Sequence, residues 1–370
     1  MTLHYDAAVL HRSGTPLSIE RVSAAVSAPT DVLVSVRAAG LCHTDLEVIE
    51  GSLRYPMPIV LGHEAAGVVA ETGSAVTRVR KGDHVILSWN PHCGHCFYCD
   101  RGLPILCEDY LTKGPRAVQF DGQSKARLAD GRELKHLMFL GAFGEYCIVA
   151  DQQAIPVAKE IPFDRACLIG CGVMTGVGAA FNLARVSRAD CVMIIGCGAV
   201  GLSAVQGARL AGAAAIIACD VDDGKLALAQ KMGATSCVNA AREDAAAVAK
   251  KQPSGRGADI VIEAAGSTVA FRASVEAVRP GGEVLWLGKI DVEADVAFRW
   301  GALMQEKRIR RSSYGDARPA RDFPLLARAY LDGRLMLDEL ITDRIRLAEI
   351  NEGFAALKSG RAIRSVITFD

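Results

Sequence analysis

A chain of 370 residues is too long for one ordinary hydrophobic core, so about two domains are expected. Lys plus Arg and Asp plus Glu number 42 each, and zero net charge supplies no field to gather nucleic acid or an anionic membrane surface. Half of the residues are apolar, few are aromatic and 36 are Gly, the balance of an α/β protein rich in tight strand-to-helix turns.

In chain order, residues 1–6 lack the basic start and apolar run of a signal peptide, and no window reaches the ~18 uninterrupted apolar residues of a membrane span. A cytosolic protein is expected. Its 12 cysteines are then metal ligands or small core residues such as Cys191, Cys219 and Cys237. Residues from about 30 to 150 read as β-rich: 31–37 alternate in polarity, and 67–70 and 83–87 are short β-branched runs bounded by turn residues.

Within this stretch Cys93, Cys96, Cys99 and Cys107 are close enough for one small loop to wrap four thiolates around a tetrahedral zinc. Unrelated thiols or a disulfide cluster are the rival readings, the latter disfavoured without a secretory signal. Four protein ligands leave no open position, so this metal is structural and the chemistry lies elsewhere.

From about residue 172 the texture changes. A strand at 189–195 runs into Gly196, Gly198 and Gly201, a helix follows from Val200, and the next strand, 214–220, ends on Asp220. The G-x-G-x-x-G pattern alone is weak, but a strand before, a helix after and an acidic residue about 20 positions on make it a dinucleotide fingerprint. Gly196 permits the turn, Gly198 lets the backbone approach a pyrophosphate, and Gly201 lets helix and strand pack. Asp220 accepts from the ribose hydroxyls and repels a 2′-phosphate, with Asp222 and Asp223 adding charge, so NAD is expected over NADP. Further strands at 259–264 and 283–288 complete a parallel, doubly wound sheet, and a helix-rich tail after about 312 ends in a strand-like run at 364–369.

Three separated segments offer ligands for a second metal: Cys42-His43-Thr44-Asp45, His63-Glu64, and Cys171 between two glycines. Two thiolates and one imidazole with a fourth position open is the arrangement of catalytic zinc.

These motifs, in this order and spacing, resemble the zinc-dependent alcohol dehydrogenases of the medium-chain dehydrogenase/reductase superfamily, over essentially the whole chain. The resemblance implies a GroES-like catalytic domain from residues 1–172 and 312–370, a Rossmann NAD domain from 173–311, and two zinc ions per subunit. Cys42, His63 and Cys171 match the catalytic zinc ligands, and the four clustered cysteines match the structural site. Polyol dehydrogenases usually place Glu where Cys171 stands, which points away from sugar alcohols. Thr44 matches the hydroxyl that passes the alcohol proton toward the ribose, His43 a pyrophosphate contact, Glu64 a carboxylate behind the zinc, and Asp45 a residue that orients a ligand. Thr175 matches a nicotinamide contact, and Lys225 and Arg364 match basic cofactor positions. Where many members release the proton through His, this chain has Glu47, which is either that base or a solvated helix charge.

Substrate-pocket positions correspond to Leu53, Trp89, Leu111, Phe139 and Leu140, an apolar set expected to favour a hydrophobic primary alcohol, aliphatic or benzyl-type. Glutathione-dependent formaldehyde dehydrogenases are the runner-up. They hold the glutathione carboxylate with Arg where this chain has Leu111, and carry an acidic residue near Leu53. Lys289, by the expected nicotinamide pocket, is read as pointing to solvent. A reading from another class, a non-catalytic NAD-binding zinc protein, requires loss of one of Cys42, His63, Cys171 or Thr44, and all are present. The segment 108–136 is similar to that of dimeric members, so a homodimer is expected.

Overall fold

The computed structural model describes residues 2–252 and 255–369, which divide into two compact units, 1–171 with 318–370, and 172–317. The first unit is β-rich. Its central strand, Asp31–Gly40, is buried nearly throughout, as its β-branched, alternating sequence demands. It anchors a seven-stranded sheet in the order Ala154–Pro156, His84–Leu87, Glu64–Thr72, Asp31–Gly40, Ser365–Thr368, Asp343–Ile345, with Tyr146–Ala150 also pairing to the central strand. The chain's last strand is antiparallel to its third, Val366 opposite Gly40. Beside it, Leu3–Leu10, Ser18–Ala24, Ala126–Leu128, Glu133–His136 and Ile59–Val60 close into a small barrel, which the sequence reading did not resolve.

Two charge clusters bind distant segments of this unit. Lys125, its side chain almost wholly buried, reaches Asp31 at 3.1 Å and Asp121 at 2.6 Å. Asp164 accepts from Arg165 at 2.7 Å and Arg344 at 2.8 Å, and Arg165 also pairs with Asp338 at 2.5 Å. Burial alone pushes the Asp164 carboxyl up, but the two guanidinium groups more than offset it and hold its pKa below the ordinary value. A carboxylate with a lowered folded-state pKa contributes stability above its unfolded pKa and loses it as pH falls through the folded value. Asp164→Asn should therefore lower Tm at neutral pH, and the gap to the parent should close as pH falls through the lowered folded-state pKa. A gap of constant size across that range in thermal melts contradicts the assignment.

The second unit holds a six-stranded sheet in the order Ser236–Asn239, Ala215–Asp220, Cys191–Ile195, Ala258–Glu263, Val278–Trp286, Arg308–Arg311, with every pair parallel. This is the doubly wound order, with its switch point beside Cys191–Ile195, and it bears out the α/β expectation. The two outer strands were not anticipated. Each has four residues, and Arg308–Arg311 is exposed throughout, so neither carries an apolar pattern.

One helical run, Phe163–Leu183, is long and apolar enough by composition to cross a membrane. Its most apolar window is 72% buried inside the protein, as in a core helix.

Candidate active site and metal centres

In the first unit, Cys42 follows the central strand directly and stands at the N-terminus of the helix His43–Glu50. Asp45, in that helix's first turn, is fully buried, and its carboxylate accepts from Cys42 N at 3.2 Å and Gly62 N at 2.9 Å and faces His63 Nδ1 at 3.3 Å. One buried carboxylate thus fixes two ligand-bearing segments and engages Nδ1, leaving Nε2 of His63 for a ligand role. Gly62 has φ +93°, and a Cβ there would lie 2.6 Å from the Phe143 ring, so only glycine fits before His63. Cys171 sits in a π-helical turn, Ile169–Val173, the kind of local widening that re-aims a side chain within a helix.

These segments bring ligand atoms of Cys42, His63, Glu64 and Cys171 within 4.8 Å of one another. The thiol of Cys42 is held well below its ordinary pKa, chiefly by a hydrogen bond from Cys171, with His63 and Arg364 adding positive charge. Glu64 is fully buried, and burial raises its pKa to about 7 although Arg364 pairs with its Oε1 at 3.1 Å. Its Oε2 is buried without a hydrogen-bond partner. Two thiols, an imidazole and an orphaned carboxylate oxygen facing one point are the surroundings a zinc ion satisfies.

Arg364, expected as a basic cofactor position, is buried, and its guanidinium pairs with Glu64 Oε1 at 3.1 Å. Thr44 is buried and Glu47 half-buried on the helix after Cys42, while His43 is exposed. Of the expected pocket residues, Trp89 is buried, Leu53 is half-buried and Leu111 is 49% exposed. Phe139 and Leu140 have 0% exposure, so they form core beneath the surface instead of lining it. The ring lying over Phe139 is Tyr110, at 5.3 Å between centroids, and Tyr110 also contacts Trp89 at 6.2 Å. Tyr110 and Tyr55 escaped the sequence reading because they match no motif. Burial raises the pKa of both phenols, and the carboxylates of Asp45 and Glu47 add to the effect at Tyr55.

The four-cysteine lobe is equally well formed. Cys93, Cys96, Cys99 and Cys107 place their sulfurs within 4.8 Å of one another, and all 12 cysteines are free thiols, so the disulfide reading falls. Cys93 N donates to Cys107 Sγ at 3.2 Å and Glu108 N to Cys96 Sγ at 3.5 Å, stabilising thiolates. Hydrogen bonds from the Glu108 and Cys99 amides lead in lowering the Cys96 pKa to about 6.

In the second unit, Gly196 has φ +93° and a Cβ there would lie 2.5 Å from Ala265 N. A Cβ on Gly201 would lie 1.7 Å from Gly196 O, but one on Gly198 would meet nothing within 4 Å. Gly198 caps the 13-residue helix Ala199–Ala211, whose N-terminus has no side-chain cap and no acidic residue in its first turn. Free amides facing open space form a cradle for a pyrophosphate. Asp220, at the end of its strand, accepts from Cys197 N at 2.6 Å, Val221 N at 2.8 Å and Asp222 N at 3.0 Å. It therefore braces the glycine turn as well as offering its remaining acceptor capacity to a ribose. Thr175 is half-buried on the helix Met174–Gly178, and Lys225 is half-buried on the helix Asp223–Met232. Lys289 follows the fifth strand, and its backbone abuts Gly266. Glu263, missed in the sequence, is fully buried at the carboxyl end of its strand and accepts from Ala265 N and Gly266 N at 2.9 and 2.6 Å, shaping the next turn.

A doubly wound nucleotide unit together with a β-rich unit carrying a closed four-thiol site and an open thiolate–imidazole site defines a zinc- and nucleotide-dependent dehydrogenase. Residues 28–159 match the alcohol dehydrogenase GroES-like domain and 199–330 the zinc-binding dehydrogenase domain. The chain is 36% identical over 365 residues to an S-(hydroxymethyl)glutathione dehydrogenase of Aspergillus oryzae, covering 98% of this chain and 95% of that one. Other curated relatives carry that name or "alcohol dehydrogenase class-3". Among solved structures, an alcohol dehydrogenase zinc-binding domain protein from Burkholderia ambifaria superposes with TM-score 0.95 at 34% identity, and benzyl alcohol dehydrogenase from Acinetobacter calcoaceticus with 0.92 at 29%, each over the full length of both chains. The chain belongs to the zinc-type alcohol dehydrogenases of the medium-chain dehydrogenase/reductase superfamily. It is an NAD- and zinc-dependent oxidoreductase acting on CH–OH donors, and the non-catalytic reading is set aside.

Proposed function

We propose that this protein oxidises a primary alcohol to its aldehyde, with NAD as hydride acceptor, at a zinc held by Cys42, His63 and Cys171. The buried donor set, gathered within 4.8 Å, carries this reading. Zinc bound there supplies Lewis acidity that favours the alkoxide form of the alcohol. Asp45 keeps His63 and the Cys42 backbone in place, and the Glu64–Arg364 pair balances charge behind the ligands. Thr44 would take the alcohol's hydroxyl proton and hand it on along a relay that ends at Glu47. NAD bound by the second unit would supply the acceptor for the hydride lost from the alcohol carbon, so that the products would be aldehyde, NADH and one proton. Gly196, Gly198 and Gly201 hold the pyrophosphate, with His43 and Lys225 as basic contacts and Thr175 beside the nicotinamide. Asp220 holds the adenosine ribose. Asp220→Gly should reduce the ratio of kcat/KM for NAD over NADP at least about tenfold; an unchanged ratio refutes its ribose role. A cytosolic homodimer fits the same reading.

The names of the curated relatives support S-(hydroxymethyl)glutathione as substrate, and they support it better than the hydrophobic primary alcohol expected from the pocket positions. A second reading, a large apolar or benzyl-type alcohol, is favoured by one observation: Trp89, Tyr110, Phe139 and Phe120 form a continuous aromatic row. Steady-state NAD reduction with ethanol, longer alkanols, benzyl alcohol and formaldehyde plus glutathione separates the two. Highest kcat/KM with the glutathione adduct establishes the first, and highest kcat/KM with benzyl alcohol replaces it with the second.

A further inference from the structure

Three turns of the nucleotide unit pack on one another at the carboxyl ends of neighbouring strands, and one carboxylate lies where they meet. Gly196 follows the strand Cys191–Ile195, and a Cβ there would lie 2.5 Å from Ala265 N, in the turn after Ala258–Glu263. A Cβ on Gly266 of that second turn would lie 2.5 Å from Lys289 O, in the turn after Val278–Trp286. One on Gly288 of the third turn would lie 2.4 Å from Gly266 N. Glu263 ties the second and third turns together. Its main-chain carbonyl accepts from Leu287 N at 2.8 Å and Gly288 N at 3.1 Å, while its side-chain Oε1 accepts from Ala265 N at 2.9 Å and Gly266 N at 2.6 Å.

The other carboxylate oxygen takes no part in this bracing. Oε2 of the fully buried Glu263 has no hydrogen-bond partner and lies against the backbone of Gly288, where a Cβ would come within 2.5 Å of it. Arg311 acts on the carboxylate through space, but its guanidinium hydrogen-bonds to Trp286 O. Burial raises the Glu263 pKa, and the amide donors around it pull the other way. A neutral acceptor such as Gln would brace two amides equally well, without the desolvation cost of a buried carboxylate. The charge therefore has a use beyond the fold. In the reading above the pyrophosphate lies at the glycine turn and the adenosine ribose at Asp220, on the strand to one side of Cys191–Ile195. The nicotinamide half then extends to the other side, over the turns that Glu263 braces.

We propose that Glu263 biases the coenzyme crevice toward oxidised nicotinamide: held beneath the two turns, its buried negative charge favours the cationic ring of NAD over the neutral ring of NADH. It is a positioning residue, acting through the turns it braces and through its field. Few polar atoms lie near Oε2 to screen that field, so it reaches a ring seated over the turns with more effect than a surface charge would have. The proposal rests on the NAD reading above and is independent of which alcohol is the substrate.

The test is calorimetric titration of the zinc-loaded parent, Glu263→Gln and Glu263→Asp with NAD, NADH and ADP-ribose, without alcohol. In Glu263→Gln the ratio of Kd for NAD to Kd for NADH should rise about fivefold, while ADP-ribose, which lacks the nicotinamide ring, should bind within about twofold of the parent. Glu263→Asp keeps the charge but shortens the brace, so both coenzymes should weaken together and the ratio should stay within about twofold of the parent. A merely structural residue would shift NAD and NADH alike in both variants. Tm is checked in each, and Glu263→Met replaces the Gln variant if that one fails to fold. An unchanged ratio in folded Glu263→Gln or Glu263→Met overturns the proposal, as does a Glu263→Asp whose ratio rises as far as that of the neutral variant. A parent that binds neither NAD nor NADH sinks the coenzyme reading itself, whereas a parent that binds both, with a ratio the neutral variant leaves unchanged, sinks only the role of Glu263.

Discussion

Cys171→Ser should reduce alcohol turnover to background while Tm stays within a few degrees of the parent. The thiol is one of three ligands drawn from separate segments, and a hydroxyl neither ionises at neutral pH nor binds zinc as a thiolate does. Arg364 still pairs with Glu64 when the metal is lost, so the buried carboxylate keeps a balancing charge and the fold survives. The four-thiol lobe is untouched, so metal analysis should fall from two zinc ions per chain to one. Substantial turnover in a folded Cys171→Ser protein would exclude Cys171 as a catalytic ligand.

Gly201→Ala should be the most damaging single methyl in the nucleotide unit. The added Cβ would sit 1.7 Å from Gly196 O, and that carbonyl belongs to a turn already packed against Ala265. The helix Ala199–Ala211 must move off its strand, at a cost of at least about 3 kcal/mol, toward the upper end for single substitutions. NAD affinity should fall with it, because the helix N-terminus and the glycine turn shift together. Gly198→Ala serves as the contrast. Its Cβ meets no protein atom, so the unit should keep its stability while NAD binding weakens. Equal melting temperatures for Gly201→Ala and Gly198→Ala would contradict these distinct roles.

Much of this was legible in the sequence because each metal or phosphate site requires a particular spacing. The four cysteines and the glycine fingerprint with Asp220 are recognisable in that way, whereas the isolated Cys42, His63 and Cys171 became legible only through the family resemblance, and the parallel sheet followed from strands whose apolar runs are buried on both faces. Edge strands such as Arg308–Arg311 lack that signature, since pairing on one side and solvent on the other impose no apolar pattern. The barrel was lost because closing it needs pairings between strands distant in sequence, as when Val22 pairs with Leu128 and Val9 with Val60. The substrate side was the least legible. Phe139 and Leu140 are apolar whether they line a pocket or lie in core, and only the structure reveals that Tyr110 covers Phe139. The pairing of Arg364 with Glu64 was likewise invisible in the sequence, because the two residues lie 300 positions apart.

The most direct test of the account is NAD reduction by a primary alcohol before and after zinc removal by chelation, with zinc counted in the same samples. Activity that disappears as the catalytic zinc is lost and returns when zinc is restored is the predicted result. Undiminished NAD reduction in protein shown to be zinc-free would contradict the central claim that Cys42, His63 and Cys171 hold the metal on which the reaction depends.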